Sequence, residues 1–464
     1  MRISEPIEKS GYFWLPNNPD TKLPGTLRIS EFGKTTLETI GIFGNTIRAL
    51  IQNSAPKRIV GFLEDGNPIT LDRCSPGSKI IRFGNGISKF TLSAGLTLDG
   101  AHYASEEEIT FTKFKFSVEG LDEWLSISGL QVEENLQDNS ARVHFTLPKR
   151  ISIQLPDGIT LTLTFAGGVE GTSWSTQAKV AQKAYILLTS EEPKSIQDFI
   201  ALVIKINNFL CFATDKTVSL DSATGYSNDI SKESVDGQRH DIPIKLYYQS
   251  SPTSKTKPNV QWHRMIFNYS HVATDFEKVL THWLTNYEIS EPAFNLYFAS
   301  KSGAHKYIDG RFLSLAQGIE TLHRRNSKET SMPEEEFNKL IETTLKSCPS
   351  DKREWMGKRL KYANELSLRQ RIKQMIKPFQ HLYGTAMDLK SFTAQVIDTR
   401  NYLTHYDTTL SSRATSEIEL WNLCMKLECL FQLHFLQLMG LEIESINNLV
   451  KDNYAFRKKL ETSV

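Results

Sequence analysis

The sequence predicts an α+β protein: a β-rich N-terminal region, sandwich- or barrel-like with a few helices, followed by a C-terminal all-α bundle. Three observations lead there. Before about residue 290 the apolar residues fall in short alternating runs, the period of two that a half-buried strand needs. Beyond it they recur every three or four positions over longer stretches, the period of a helix with one buried stripe. The 464 residues are 39% hydrophobic and 23% charged, too apolar for a disordered chain and too long for one ordinary domain. The chain is accordingly divided into a β-rich domain over 1–170, a second α/β module of the N-terminal region over 171–290, and a helical bundle over 291–464.

GTLRIS (25–30), KRIVGFLE (57–64), ITFTKFKFSVEGL (109–121) and ARVHFTLP (141–148) read as strands. In the third, Ile109, Phe111, Phe114, Phe116 and Val118 keep a period near two with one slip at Lys113, the mark of a bulge or an edge. ISIQLPDGITLTLTF reads as a hairpin turning on Pro156-Asp157-Gly158, where glycine supplies a positive φ. Behind an N-cap at Ser195, Phe199, Val203, Ile206 and Leu210 are spaced as on a helix, and DFEKVLTHWLTNY from Asp275 repeats the device. IPIKLYYQ (242–249) and RMIFNYSHV (264–272) read as two later strands, with polar loops over 221–240 and 249–259.

Then come the helices. RFLSLAQGIETLHRR (311–325) puts Phe312, Leu315, Ile319 and Leu322 on one stripe. A second helix opens at Ser331 with proline and acids in its first turn, a third spans about Lys352 to Phe379, and a fourth about Asp388 to His405. The fifth, from Ser416 to Gly440, is the most apolar and reads as the central helix of a five-helix bundle.

Composition excludes some functions. With 54 Lys and Arg against 53 Asp and Glu the chain is no polyelectrolyte, so any nucleic-acid surface is local. MRISEPIEKSGYFWLP lacks a signal-peptide core, and no run of about 18 apolar residues is free of charge. The expectation is a cytoplasmic protein with no membrane partner. Cys74, Cys211, Cys348, Cys424 and Cys429 are odd in number and irregularly spaced, as free thiols are. Cys424 and Cys429 have no second pair to complete a zinc site, and His263, His271 and His282 match no metal spacing, so no metal or other cofactor is expected. Gly167-Gly168 and FGNG (83–86) are turn signals without the lysine and strand-to-helix context of a phosphate loop. Tyr12, Phe13 and Trp14 read as core aromatics.

One stretch carries chemistry: VIDTRNYLTHYDTTL (396–410), on the fourth helix. Asn401 and His405 are four apart and share a face, with Arg400 about 140° around from His405. Cleaving RNA through its own 2′-hydroxyl needs a base, an acid, and positive charge at the phosphorane. One copy of the stretch supplies a single imidazole and one guanidinium, so a second imidazole has to come from elsewhere, most simply from a second copy across a twofold axis. Spacing alone is equally satisfied by a helix end with a histidine placed favourably against the helix dipole.

RNYLTH is similar to the R-x-x-x-x-H signature of HEPN domains, helical bundles many of which are metal-independent ribonucleases, down to the polar residue after the arginine. The helix with Gln317, Gly318 and Glu320, the basic third helix and the apolar last helix ending in LMG resemble the HEPN module of ApeA-like bacterial proteins. GYFWLP, PGTLRIS and LDEWL (121–125) resemble the β-rich region those proteins carry at the other end. The resemblance implies a homodimer that cleaves RNA, with tRNA as one candidate class, in abortive-infection defence against bacteriophage under a phage-derived trigger. It implies His405 as acid or base, Arg400 as the phosphate-stabilising group, Asn401 as the orienting residue, and Glu320 as a support for Arg400.

Charge adds an independent hint. Between residues 346 and 377 ten bases stand against three acids, a local net of +7 that attracts a phosphate backbone. Lys358, Arg359, Lys361, Arg369, Arg371 and Lys373 are its candidate RNA contacts. The competing class is a non-catalytic module that binds RNA, a nucleotide or a protein, with a ligand-recognising β domain.

Overall fold

The computed structural model describes residues 1–43, 55–82, 86–172, 174–233, 239–415 and 417–461. They form two compact units, Met1–Glu277 and Lys278–Val464. Phe83, Gly84 and Asn85 of the FGNG turn, and Ser416 at the expected start of the fifth helix, lie outside the described residues.

In the first unit β1 (Ile7–Leu15), β2 (Asn18–Ile29), β3 (Thr35–Ile40), β4 (Arg58–Leu63), β5 (Pro68–Ile80) and β6 (Lys89–Asp99) form a ring. The ring closes because β6 pairs antiparallel with β3 on one edge and with β5 on the other. Of the two expected architectures, the barrel is the one found. Each strand contributes a fully buried apolar residue, Phe13, Leu27, Leu37, Ile59, Leu71 and Leu92 in turn. Leu27 lies opposite Leu37 and Ile59 opposite Leu71, so the alternation seen in the sequence fills a small barrel interior. Of the aromatic trio, Phe13 and Trp14 are buried and Tyr12 is exposed.

The remaining elements of this unit are β7 (Thr110–Val118), α1 (Leu121–Leu125), β8 (Leu130–Asn135), β9 (Ser140–Phe145), β10 (Ile151–Leu155), β11 (Ile159–Glu170), β12 (Lys179–Ser195), α2 (Ile196–Thr214), β13 (Leu220–Tyr226), β14 (Ser231–Glu233), β15 (Arg239–Asp241) and β16 (Ile244–Tyr247). From β6 the sheet continues through β16, β13, β7, β12, β11 and β10. The phenylalanine-rich β7 is interior, bonded on both sides. Its slip at Lys113 marks a register shift in its neighbour, where Thr189 lies opposite Lys113 but Lys194 opposite Phe111.

Helix α2 packs on this arm, with Phe199 stacked on Phe114 at 5.4 Å. It starts where Ser195 Oγ accepts the Asp198 N–H at 3.2 Å. By length and composition α2 is apolar enough to cross a membrane, and 61% of that window is buried in the protein.

Two expectations about this region change. Residues 171–277 are not a separate module: β11 and β12, on either side of residue 171, pair along twelve positions and belong to the same sheet as β7. RMIFNYSHV is not a strand but a pair of short 3-10 turns, Trp262–Arg264 and Tyr269–His271. Its apolar run is satisfied by burial, with Phe267 edge-on to Phe209 and Phe212.

The helices that follow are α3 (Phe276–Lys301), α4 (Ile308–Asn326), α5 (Glu334–Ser347), α6 (Arg353–Leu360), α7 (Leu368–Ile376), α8 (Ala386–His405), α9 (Glu417–Leu438), α10 (Ile443–Asp452) and α11 (Tyr454–Glu461). The second unit begins before residue 291 because α3 continues through Pro292, bending at Ser290 (φ −117°, ψ 22°). Ser331 does not cap α5; its N–H and hydroxyl turn back to the carbonyls of Asn364 and Glu365, and the helix begins behind Pro333. The basic third segment is two helices, the second opened by a capping box between Ser367 and Gln370. Helices α10 and α11, beyond Gly440, were not anticipated.

As expected, α9 is central, with Leu423, Leu427, Leu430, Phe431, Leu433 and Leu436 fully buried. It approaches α4 closely at Gly318, where a Cβ would stand 2.6 Å from the Phe431 ring. Cys424 and Cys429 are buried thiols on the same helix, and burial pushes the Cys424 thiol up to about 12.

His434, also on α9, donates from Nε2 to the Met375 carbonyl at 2.8 Å. Burial lowers its pKa from 6.5 to about 4. Above pH 6.5 the ring is neutral folded or unfolded; below it the unfolded chain takes up a proton that the folded chain refuses until about pH 4. Stability therefore falls with pH across that window, by about 3 kcal/mol from this group. Denaturant titrations at about pH 7.5 and 4.5 test this. The wild type should lose more stability between them than His434→Gln does, and equal losses would contradict it.

Candidate active site

Helix α8 is built to present its last turn. It starts at a capping box in which Thr385 and Asp388 satisfy each other's N–H groups. Phe392, Thr393, Val396, Thr399 and Leu403 are buried, and their spacing leaves Arg400 and Asn401 half-buried at the border and His405 exposed. The helix stops because Tyr406 takes left-handed dihedrals and donates its N–H back to the Tyr402 carbonyl at 2.6 Å. Asp407 then accepts the N–H and hydroxyl of Thr409, at 2.9 and 2.7 Å, and opens a 3-10 turn over Thr408–Leu410. Further on, Thr415 N–H bonds to the buried Thr399 Oγ1 at 2.9 Å, tying the returning chain to α8.

Arg400 Nη1 donates to Asn401 Oδ1 at 3.2 Å. Asn401 thus holds the guanidinium from the adjacent position, leaving other N–H groups of the fork for a phosphate. His405 stands at the negative end of the α8 dipole with the Asp407 carboxylate two residues on. Thr409 holds that carboxyl below its usual value, and the charge of His405 adds to the effect. One chain thus carries one guanidinium held by one amide, and one exposed imidazole, on the last turns of α8.

The residues expected to support the site lie elsewhere or are engaged by other partners. Glu320 does not reach Arg400: its carboxylate pairs with Arg324 at 3.1 Å, one turn along α4, and Arg324 also binds Glu365 at 3.0 Å. Arg371 is not an RNA contact, because it is 3% exposed. Its guanidinium donates to the Leu366 carbonyl at 3.0 Å and to His323 Nδ1 at 3.2 Å. That makes His323 Nε2 the donor to Gln374 Oε1 at 2.6 Å, a neutral tautomer that burial favours by lowering the ring's pKa. His323, Gln374 and His434 line a cavity of about 520 Å³ among α4, α7 and α9, to which α8 contributes no residue.

Lys358, Arg359, Lys361, Arg369 and Lys373 are exposed. Lys358 pairs with Glu354 at 2.7 Å. Arg359 lies over the Trp355 ring at 5.7 Å, and Lys361 over Tyr362 at 5.2 Å. Both rings are more than half exposed. Exposed aromatics carrying cations are a surface suited to unpaired nucleic acid. The sequence held the signal in the interleaving of Trp355 and Tyr362 with the bases; periodicity assigns such residues to a helix face instead.

Among known proteins, a family model described as ApeA N-terminal domain 1 matches residues 8–283. A second, described as Apea-like HEPN, matches residues 313–445 and takes in the whole of α8. No curated protein and no solved structure matches the chain. The first match spans the barrel and its extended sheet, more than half of the sequence, and the second follows it in the order the resemblance required: the chain belongs to the ApeA-like HEPN family.

Proposed function

We propose that this protein is a metal-independent RNA endonuclease of anti-phage abortive infection, active as a homodimer through its helical unit and restrained by its β-rich unit. HEPN domains as a family act on RNA and commonly pair, and ApeA-like members belong to phage defence. The observation that carries the reading is Arg400, oriented by Asn401, at the same end of α8 as an exposed His405.

In the reaction one imidazole takes the proton from a ribose 2′-hydroxyl, whose oxygen attacks the adjacent phosphorus. The bond to the 5′-oxygen breaks, and that oxygen takes a proton from a second imidazole. The products end in a 2′,3′-cyclic phosphate and a 5′-hydroxyl. Arg400 stabilises the doubly charged phosphorane through two parallel N–H bonds, a geometry lysine lacks. Because each chain supplies one His405, both protons are handled only when two copies of α8 face each other.

Expression in cells tests this. Wild type should slow growth and leave RNA fragments with 5′-hydroxyl ends, while Arg400→Ala should do neither. Equal growth and intact RNA for both would favour a binding module. Sizing at micromolar concentration should give a dimer, and a strict monomer that still cleaves would remove the two-copy site.

A further inference from the structure

The residue after His405 stands where a helix ordinarily places glycine. Tyr406 has φ 51° and ψ 36°, the left-handed region in which a Cβ crowds the neighbouring carbonyl. As a helix stop, glycine or asparagine serves better. What tyrosine adds is a ring. Tyr406 is 66% exposed and meets Tyr402 edge to face, with centroids 5.7 Å apart. Neither phenol hydroxyl is hydrogen-bonded among the described residues. Tyr402 follows Asn401 and precedes His405 by three positions, and Tyr406 follows His405 directly, so the two rings share the last turn of α8 with the candidate acid–base group. Strain held at one residue beside a reactive group is where a functional reason is worth seeking.

We propose that Tyr402 and Tyr406 form a stacking subsite for one unpaired nucleobase next to the scissile phosphate. It thereby sets which nucleotide of a single-stranded RNA is presented to Arg400 and His405. The proposal rests on the nuclease reading and deepens it. Arg400 and His405 act on phosphate and hydroxyl groups that every nucleotide shares, so they neither select a base nor hold the ribose in line for attack. A base in a helical stack keeps its 2′-oxygen out of line with the leaving oxygen; one drawn out of the stack needs a new π surface. The largely exposed Tyr406 ring, packed at a steep angle against Tyr402, supplies it within one residue of the imidazole.

Full-length protein and a single-stranded RNA carrying one 2-aminopurine test the subsite. Tyr406→Gly relieves the backbone and removes the ring, so its melting temperature should hold or rise while kcat/KM falls about tenfold or more and the cleavage-site pattern changes. Tyr406→Phe should cleave as wild type does. In a His405→Ala background the 2-aminopurine should be quenched on binding, and adding Tyr406→Gly should abolish the quench. Unchanged rate and sites in Tyr406→Gly would overturn the proposal. So would a Tyr406→Phe as impaired as Tyr406→Gly, or a Tyr406→Gly that becomes monomeric, which would make the rings a contact between copies. Failure of the nuclease reading looks different: no cleavage by wild type, or full cleavage by His405→Ala. The quench still decides the subsite then, its absence on Tyr406-containing protein counting against it.

Discussion

His405→Ala should cleave RNA about 10³-fold more slowly than wild type, or below detection, while folding and dimerising normally. The ring is exposed and forms no hydrogen bond among the described residues, so its loss leaves no cavity and orphans no partner. What disappears is proton transfer, worth typically 10²–10⁴-fold. Arg400→Ala should fall by a similar factor through loss of the charge that meets the phosphorane. Arg400→Lys should recover little, since an ammonium cannot present the paired donors that Asn401 orients. Asn401→Ala should cost less than either, because it frees the guanidinium without removing it. Single-turnover cleavage of a labelled RNA reads all four. A His405→Ala protein within threefold of wild type would remove the imidazole from the mechanism.

The second large effect is on stability. Glu428, on α9, is fully buried and receives Lys301 and Lys459 at 2.7 Å and Arg311 at 2.6 Å. Burial pushes this carboxyl up, but Lys301, Lys459 and Arg311 together overcome that and hold it well below the usual carboxylate range. Glu428→Gln leaves three cations around a neutral amide and should destabilise the helical unit by about 3–5 kcal/mol. For a unit of this size that is a fall of about 10 °C in its melting transition. The sign with pH follows from the depressed pKa: the contribution is complete above the unfolded carboxylate value and is lost as pH falls through the folded one. Wild type and Glu428→Gln should therefore converge in strong acid. Calorimetry at neutral pH that placed the two transitions within a degree would show the cluster to be idle. Because α3, α4 and α11 all bind Glu428, its loss should also loosen the bundle that supports α8.

What the sequence disclosed depended on whether local pattern or long-range closure decided an element. The stripe on α4, the N-cap at Ser195 and the apolar α9 are local, and each stands where its residues implied. Closure of the barrel is not local: it turns on β6 pairing with both β3 and β5, contacts that alternation cannot specify. The 264–272 run misled because burial and strand pairing leave the same apolar signature. Arg371 misled for a related reason, since a net-charge count treats a guanidinium bound to His323 and the Leu366 carbonyl like one in water. Glu320 looked like a support for Arg400 on the strength of the family motif, yet the nearer Arg324 takes it. That Arg400, Asn401 and His405 share the end of one helix was legible from their spacing; their catalytic roles came from the family resemblance and belong to the proposal. Tyr406 was not legible, since its strain is a dihedral angle rather than a composition.

The proposed cleavage proceeds by ribose-hydroxyl attack between paired copies of α8 and uses no metal. The most direct measurement is the chemistry of the ends that purified full-length protein leaves on RNA in excess EDTA. Cleavage should be undiminished, with 2′,3′-cyclic phosphate and 5′-hydroxyl termini, and absent in His405→Ala. Activity lost in EDTA and restored by a divalent ion, with 3′-hydroxyl and 5′-phosphate termini, would contradict it.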